Sequence, residues 1–109
     1  MPLDPETAER ITDLEEMHAD EPEDALTAFL LGTEYVKAGR SGDALPMFRA
    51  AIAADPGYSA ARAGIGACLE TAGRLDEARA IWAETAVLAE AKGDHMVTRQ
   101  AQDAMARLA

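Results

Sequence analysis

The chain has 109 residues, enough for one small domain with a continuous core and too few for two of ordinary size. Of its hydrophobic residues 25 are alanine, which suits closely packed helices and leaves little for a β-sandwich rich in Val, Ile, Thr and aromatics. Twenty acids against 10 bases, a net charge of -10, argue against nucleic-acid backbone and anionic membrane surface as partners, and the lone Cys68 excludes an internal disulfide and a cysteine zinc site.

The opening residues, MPLDPETAER, pair no basic stretch with an apolar one, and no apolar run approaches the roughly 18 residues of a membrane span. A soluble, cytoplasmic protein is therefore expected. The first predicted helix covers 5–19, started by Asp4 as N-cap and Pro5 at the first helical position, with Ile11, Leu14 and Met17 or His18 at helical spacing. Residues 1–24 hold ten acids and one base, Arg10, while 25–109 hold ten acids and nine bases, so the excess charge is local. Two readings stand: a solvated outer face on a terminal helix, or a patch that steers a basic partner.

A second helix is predicted over 23–38, ending at Ala38-Gly39-Arg40, where glycine suits the left-handed residue that closes a helix. A third covers 42–54 and contains Pro46, which predicts a bend or a delayed start. A fourth covers 57–72 and stops at Gly73, and a fifth covers 75–91. Gly93-Asp94 ends that helix and caps the last, 94–108, with Val97, Ala101, Ala104, Met105 and Leu108 along one side. The fold class is all-α, with six helices.

Placing residues 25–58 over 59–92 without a gap gives a period of 34 residues. Gly32 matches Gly66, Ala38 Ala72, Gly39 Gly73, Arg40 Arg74 and Ala44 Ala78; Leu31/Ile65, Asp43/Glu77 and the aromatic pair Phe48/Trp82 join them. This pattern resembles the tetratricopeptide repeat, a helix–turn–helix of about 34 residues. The first unit carries Leu31-Gly32, Tyr35, Gly39, Ala44, Phe48, Ala51 and Asp55-Pro56; the second carries Ile65-Gly66, Leu69, Gly73, Ala78 and Trp82. Departures are Thr85 opposite Ala51, Glu90 opposite Pro56, and Ala28 and Arg62 where the family has an early tryptophan.

The resemblance implies a short right-handed α-solenoid: an acidic N-terminal capping helix in 1–24, repeats over 25–58 and 59–92, and a C-terminal capping helix in 93–109. Gly32 with Ala44, and Gly66 with Ala78, are expected to let the paired backbones approach closely. Phe48 and Trp82 are expected to fill the space between hairpins.

Residues suited to catalysis are sparse. His18 and His95 lie on opposite end helices without a second ligand at metal spacing, and are read as solvated. Cys68, among Gly66, Ala67 and Leu69, is read as a small hydrophobe. No phosphate loop, nucleophile elbow or His-Glu pair is present, so no enzyme, metal or cofactor is expected.

The family's first helices line a concave face that holds peptides. Helical spacing puts Leu26, Phe29, Thr33 and Val36 there, then Ala60, Ala63, Ala67 and Glu70, with Val97, Ala101 and Met105 continuing the strip. Small residues at Ala60, Ala63 and Gly64 beside Phe29 predict a slot for a large partner side chain. Alternatively a terminal helix folds over the strip and buries it. The Lys, Arg and Asn clamp with which some family members hold a chaperone's C-terminal carboxylate is replaced by Phe29, Leu30, Thr33, Ala60, Ala63, Gly64 and Ala67. The expected function is a non-catalytic interaction module for a protein or peptide partner, with a homodimer through the same face as the alternative and an enzyme or metal-binding protein as a third.

Overall fold

The computed structural model describes residues 4–109; the first three residues of the acidic segment expected over 1–24 lie outside it. Six helices follow in order: α1 (Pro5–Asp20), α2 (Ala25–Lys37), α3 (Ser41–Ala54), α4 (Ser59–Thr71), α5 (Leu75–Lys92) and α6 (His95–Leu108). Among the described residues there is no strand.

Local chemistry sets the boundaries. Asp4, Asp24 and Asp94 each accept a hydrogen bond from a backbone N–H in the first turn of α1, α2 and α6. Gly39, Gly73 and Gly93 have φ of 75°, 75° and 73°, the left-handed conformation a side chain would strain. The following N–H then reaches back, Arg40 to the Tyr35 carbonyl at 2.8 Å and Arg74 to that of Leu69 at 2.9 Å. Helices α2 and α4 begin two residues later than the sequence reading, because residues 21–24 and 55–58 each close a turn after Pro22 or Pro56.

Pro46 delays nothing, since α3 starts at Ser41 and runs through it. The carbonyl that Pro46 leaves without a helical donor belongs to Gly42, which is exposed and can be served by water.

The hairpins stack in series, each helix packing on the next, with α4 also touching α2 and α6. Phe29 near the start of α2 meets Tyr58 at the start of α4, and Ser59 there bonds Asp94 at the start of α6. At the other end Arg107 of α6 reaches Glu70 of α4. Helices α2, α4 and α6 therefore lie side by side and run in the same direction.

Glycines make the stack close-packed, in a way that differs from direct backbone approach. A Cβ on Gly32 would lie 2.8 Å from Phe48 Cε1, one on Gly64 2.8 Å from Phe48 Cε2, and one on Gly66 2.6 Å from Trp82 Cε2. The space beside each glycine is thus taken by an aromatic ring from the neighbouring helix. Buried Ala44, Ala51 and Ala78 let α3 and α5 bring those rings in.

The acidic α1 packs on α2 through few apolar groups, chiefly Ile11 and Leu14. Polar contacts supplement them: Arg10 Nε lies 3.2 Å from Glu34 Oε1, and the Tyr35 hydroxyl donates to Glu15 Oε2 at 2.6 Å. Burial first, then the Glu15 bond, pushes Tyr35 up to about 12. His18 is half-buried with Nδ1 shielded from solvent and unpartnered, so it is less solvated than the sequence suggested; His95 is exposed. Cys68 is buried, and burial pushes its thiol up, away from the reactive thiolate.

Replacing Gly66 by alanine drives a methyl against the buried Trp82 ring, so that ring or helix must shift, and should cost about 1–3 kcal/mol net of the small gain in helix propensity. Gly42→Ala meets nothing within 4 Å and should be neutral or stabilise by up to about 1 kcal/mol. Urea titrations of the two variants check the contrast.

Candidate functional site: an apolar groove across three helices

A groove of about 410 Å³ runs across the side-by-side helices. One wall is Phe29, Thr33, Val36 and Lys37 of α2; the other is Met96, Val97 and Gln100 of α6. Between them α4 presents Ala60, Ala63, Gly64 and Ala67, and Phe48 and Trp82 reach up from beneath. Neither terminal helix folds over the strip: α6 forms a wall and α1 packs on α2.

The small residues of α4 make the groove, because they put little side chain above the helix backbone. The slot expected at Gly64 is shallower than the sequence implied, since Phe48 already occupies the space beside it. Phe29 is half-buried, stacked on Tyr58 with centroids 5.0 Å apart and tilted to Phe48 at 5.9 Å. It is therefore neither a covered core residue nor a free one; one side packs into an aromatic cluster and the other faces the groove.

Of the residues the sequence placed on this face, Phe29, Thr33, Val36, Ala60, Ala63, Ala67 and Val97 line the groove. The other four lie elsewhere. Leu26 is exposed one turn before Phe29, and Met105 sits partly exposed further along α6, outside the lining. Ala101 is fully buried, because α6 turns the Met96–Val97–Gln100 side to the groove and the Ala101–Ala104 side to the core. Glu70 is held by other bonds: its carboxylate accepts from Trp82 Nε1 at 2.8 Å and from Arg107 Nη2 at 2.7 Å, tying α4, α5 and α6 together.

Sequence reasoning missed Lys37, Met96 and Gln100 in the walls. Met96 and Gln100, four apart and flanking Val97, carried a helical-spacing signal for the wall that α6 presents. Lys37 is held by Glu34, Nζ to Oε1 at 3.2 Å. Among the described residues no group of three or more His, Cys, Asp or Glu converges to hold a metal, and no helix is long and apolar enough to cross a membrane.

A family model described as tetratricopeptide repeat matches residues 29–95. The solution structure of protein BPP2914 from Bordetella parapertussis is 34% identical, with a TM-score of 0.77 over 90% of this chain and 85% of that one. A tetratricopeptide repeat domain protein from Salinibacter ruber is 27% identical, with a TM-score of 0.71 over 81% and 89%. The TPR2B domain of yeast Sti1, solved as a complex with pHsp70, shares the fold at a TM-score of 0.83 and 15% identity, over 90% of this chain and 78% of that one. No curated protein matches the chain. The chain belongs to the tetratricopeptide repeat family, whose fold is a protein–protein interaction module.

Truncating Phe29 to alanine should destabilise by about 2 kcal/mol, roughly half the cost of a fully buried phenylalanine, because only one side of the ring is packed. Chemical denaturation measures it.

Proposed function

We propose that this protein is a non-catalytic adaptor that holds a peptide or helical segment of a partner protein in the groove between α2 and α6. The observation that carries the reading is an apolar channel with two walls and a floor of small residues: Val36 and Met96 stand exposed at 42% and 74% on its walls, with alanines between. An apolar groove between helices is the shape into which an extended or helical partner segment lays its apolar side chains. Aromatic Phe29 at the edge provides an anchor, and alanines let a partner's large side chains settle near the α4 backbone. A cytoplasmic location is part of this proposal.

The residues carrying chemistry support binding and not turnover. Cys68 is buried with its thiol pushed up, and Glu70, one turn along α4 from Ala67, is already bonded on both oxygens.

Ala67→Arg tests the reading, because Ala67 is exposed on the groove floor and arginine is a good helix former. The variant should melt as the parent does, within about 0.5 kcal/mol of stability. Proteins captured by the parent from its native extract should be lost by the variant, a loss of more than about 1 kcal/mol in affinity. Undiminished capture by a folded Ala67→Arg variant would contradict the groove reading, and a monomeric variant of a dimeric parent would assign the face to self-association.

A further inference from the structure

The two ends of the groove differ in how their charges are used. Where α2, α4 and α6 finish, each base is matched on its own chain: Lys37 with Glu34 at 3.2 Å, Arg40 with Asp43 at 2.8 Å, Arg74 with Glu77 at 2.5 Å and Arg107 with Glu70 at 2.7 Å. Where the same helices begin, Glu21, Glu23, Asp24 and Asp55 are exposed and form no ion pair among the described residues.

That edge adjoins the groove. Tyr58 stacks on the wall residue Phe29, and its N–H bonds the Asp55 carbonyl at 3.0 Å, which places Asp55 three residues from the aromatic pair. Asp24 caps α2 one turn before Phe29, accepting from the Leu26 N–H at 3.1 Å and the Thr27 hydroxyl at 2.9 Å without losing its charge. Burial first, then the charges of Asp55 and Asp24, raise the Tyr58 hydroxyl, as expected if both carboxylates act on the aromatic edge. Bases are present here too: Lys92 donates to the Gly57 carbonyl close to Asp55, Arg62 donates to the Pro56 carbonyl at 3.0 Å, and His95 and Arg99 are exposed on α6 without an ion pair among the described residues, while Asp94 accepts from Ser59 Oγ at 2.6 Å.

We propose that the occupant of the groove is a basic amphipathic segment of a partner protein, with apolar side chains over Ala60, Ala63 and Ala67 and lysine or arginine at the Asp24–Asp55 edge. This rests on the groove reading and adds the sign of the partner. The further acids of α1 and its loop extend the field and raise the encounter rate. An acidic segment would meet unpaired carboxylates at one edge and already neutralised bases at the other.

The test pans a displayed library of random peptides against the full chain, then measures one enriched synthetic peptide by fluorescence anisotropy. Three proteins are compared: the parent, the double variant Asp24→Asn with Asp55→Asn, and Ala67→Arg. Asparagine keeps an acceptor oxygen for the Leu26 N–H at the cap and the Gly57 N–H in the turn, and thermal melts confirm that each variant folds. Enriched sequences should interleave large apolar residues with Lys or Arg. The double variant should bind about threefold or more weakly, with the difference shrinking at high salt, and Ala67→Arg about tenfold or more weakly. Neutral or acidic enriched peptides, no enrichment, or unchanged binding by the double variant while Ala67→Arg fails, would overturn the basic partner and leave the groove standing. Unchanged binding by Ala67→Arg would overturn the groove itself. A dimer of the parent in sedimentation that Ala67→Arg dissolves would make the occupant a second copy and overturn the proposal.

Discussion

Two aromatic rings seated against helix backbone that lacks a Cβ set the geometry of this molecule. Phe48 lies between Gly32 of α2 and Gly64 of α4, and Trp82 lies on Gly66 of α4, each ring where a methyl would stand less than 3 Å away. An interior packed like an organic crystal transmits such contacts, so the rings fix how far apart α2, α4 and α5 sit. Trp82 adds a directional term, since its N–H donates to Glu70, which also receives Arg107 from α6. The spacing of the groove walls is therefore a consequence of the core beneath them.

With the core placed on the far side of α4, its other face has no packing to do. Alanines there keep helix propensity high while leaving the channel empty, and the apolar walls of α2 and α6 are left facing each other across it. Three aspartates complete the arrangement. Asp24 and Asp94 begin the outer two helices, Asp94 ties the start of α6 to that of α4 through Ser59, and Asp55 shapes the turn into Tyr58. Groups that organise the helix starts thus also place negative charge beside the groove, and a structural role and a recognition role need not compete.

The fold was readable because its determinants repeat. Gly32 and Gly66, Phe48 and Trp82, and Gly39 and Gly73 recur at one spacing, and periodicity of that kind survives an alanine-rich background. What repeats does not say which atoms fill a space: Gly32 and Ala44 pointed to close backbones, whereas the Phe48 ring takes the room beside Gly32. Gly64 was harder still, because its counterpart one period earlier is Leu30, and its need for a missing Cβ arises only when Phe48 arrives from α3. On α6 the error was one of rotation: residues four apart from Val97 share a face, but which of two adjoining faces meets the groove depends on how the helix docks, and Ala101 went to the core while Met96 and Gln100 went to the wall. Pro46 was tolerated because the carbonyl it strands belongs to an exposed glycine, a fact about solvent and not about the residue itself.

The dependence of the stack on rings against bare backbone is tested most directly by a double-mutant cycle between Gly64→Ala and Phe48→Leu, read by urea unfolding. If the ring occupies the space of the missing Cβ, Gly64→Ala is destabilising in the parent and becomes neutral or stabilising once Phe48 is leucine, giving a coupling of about 1 kcal/mol or more. Additive effects, within about 0.3–0.5 kcal/mol, would contradict the account.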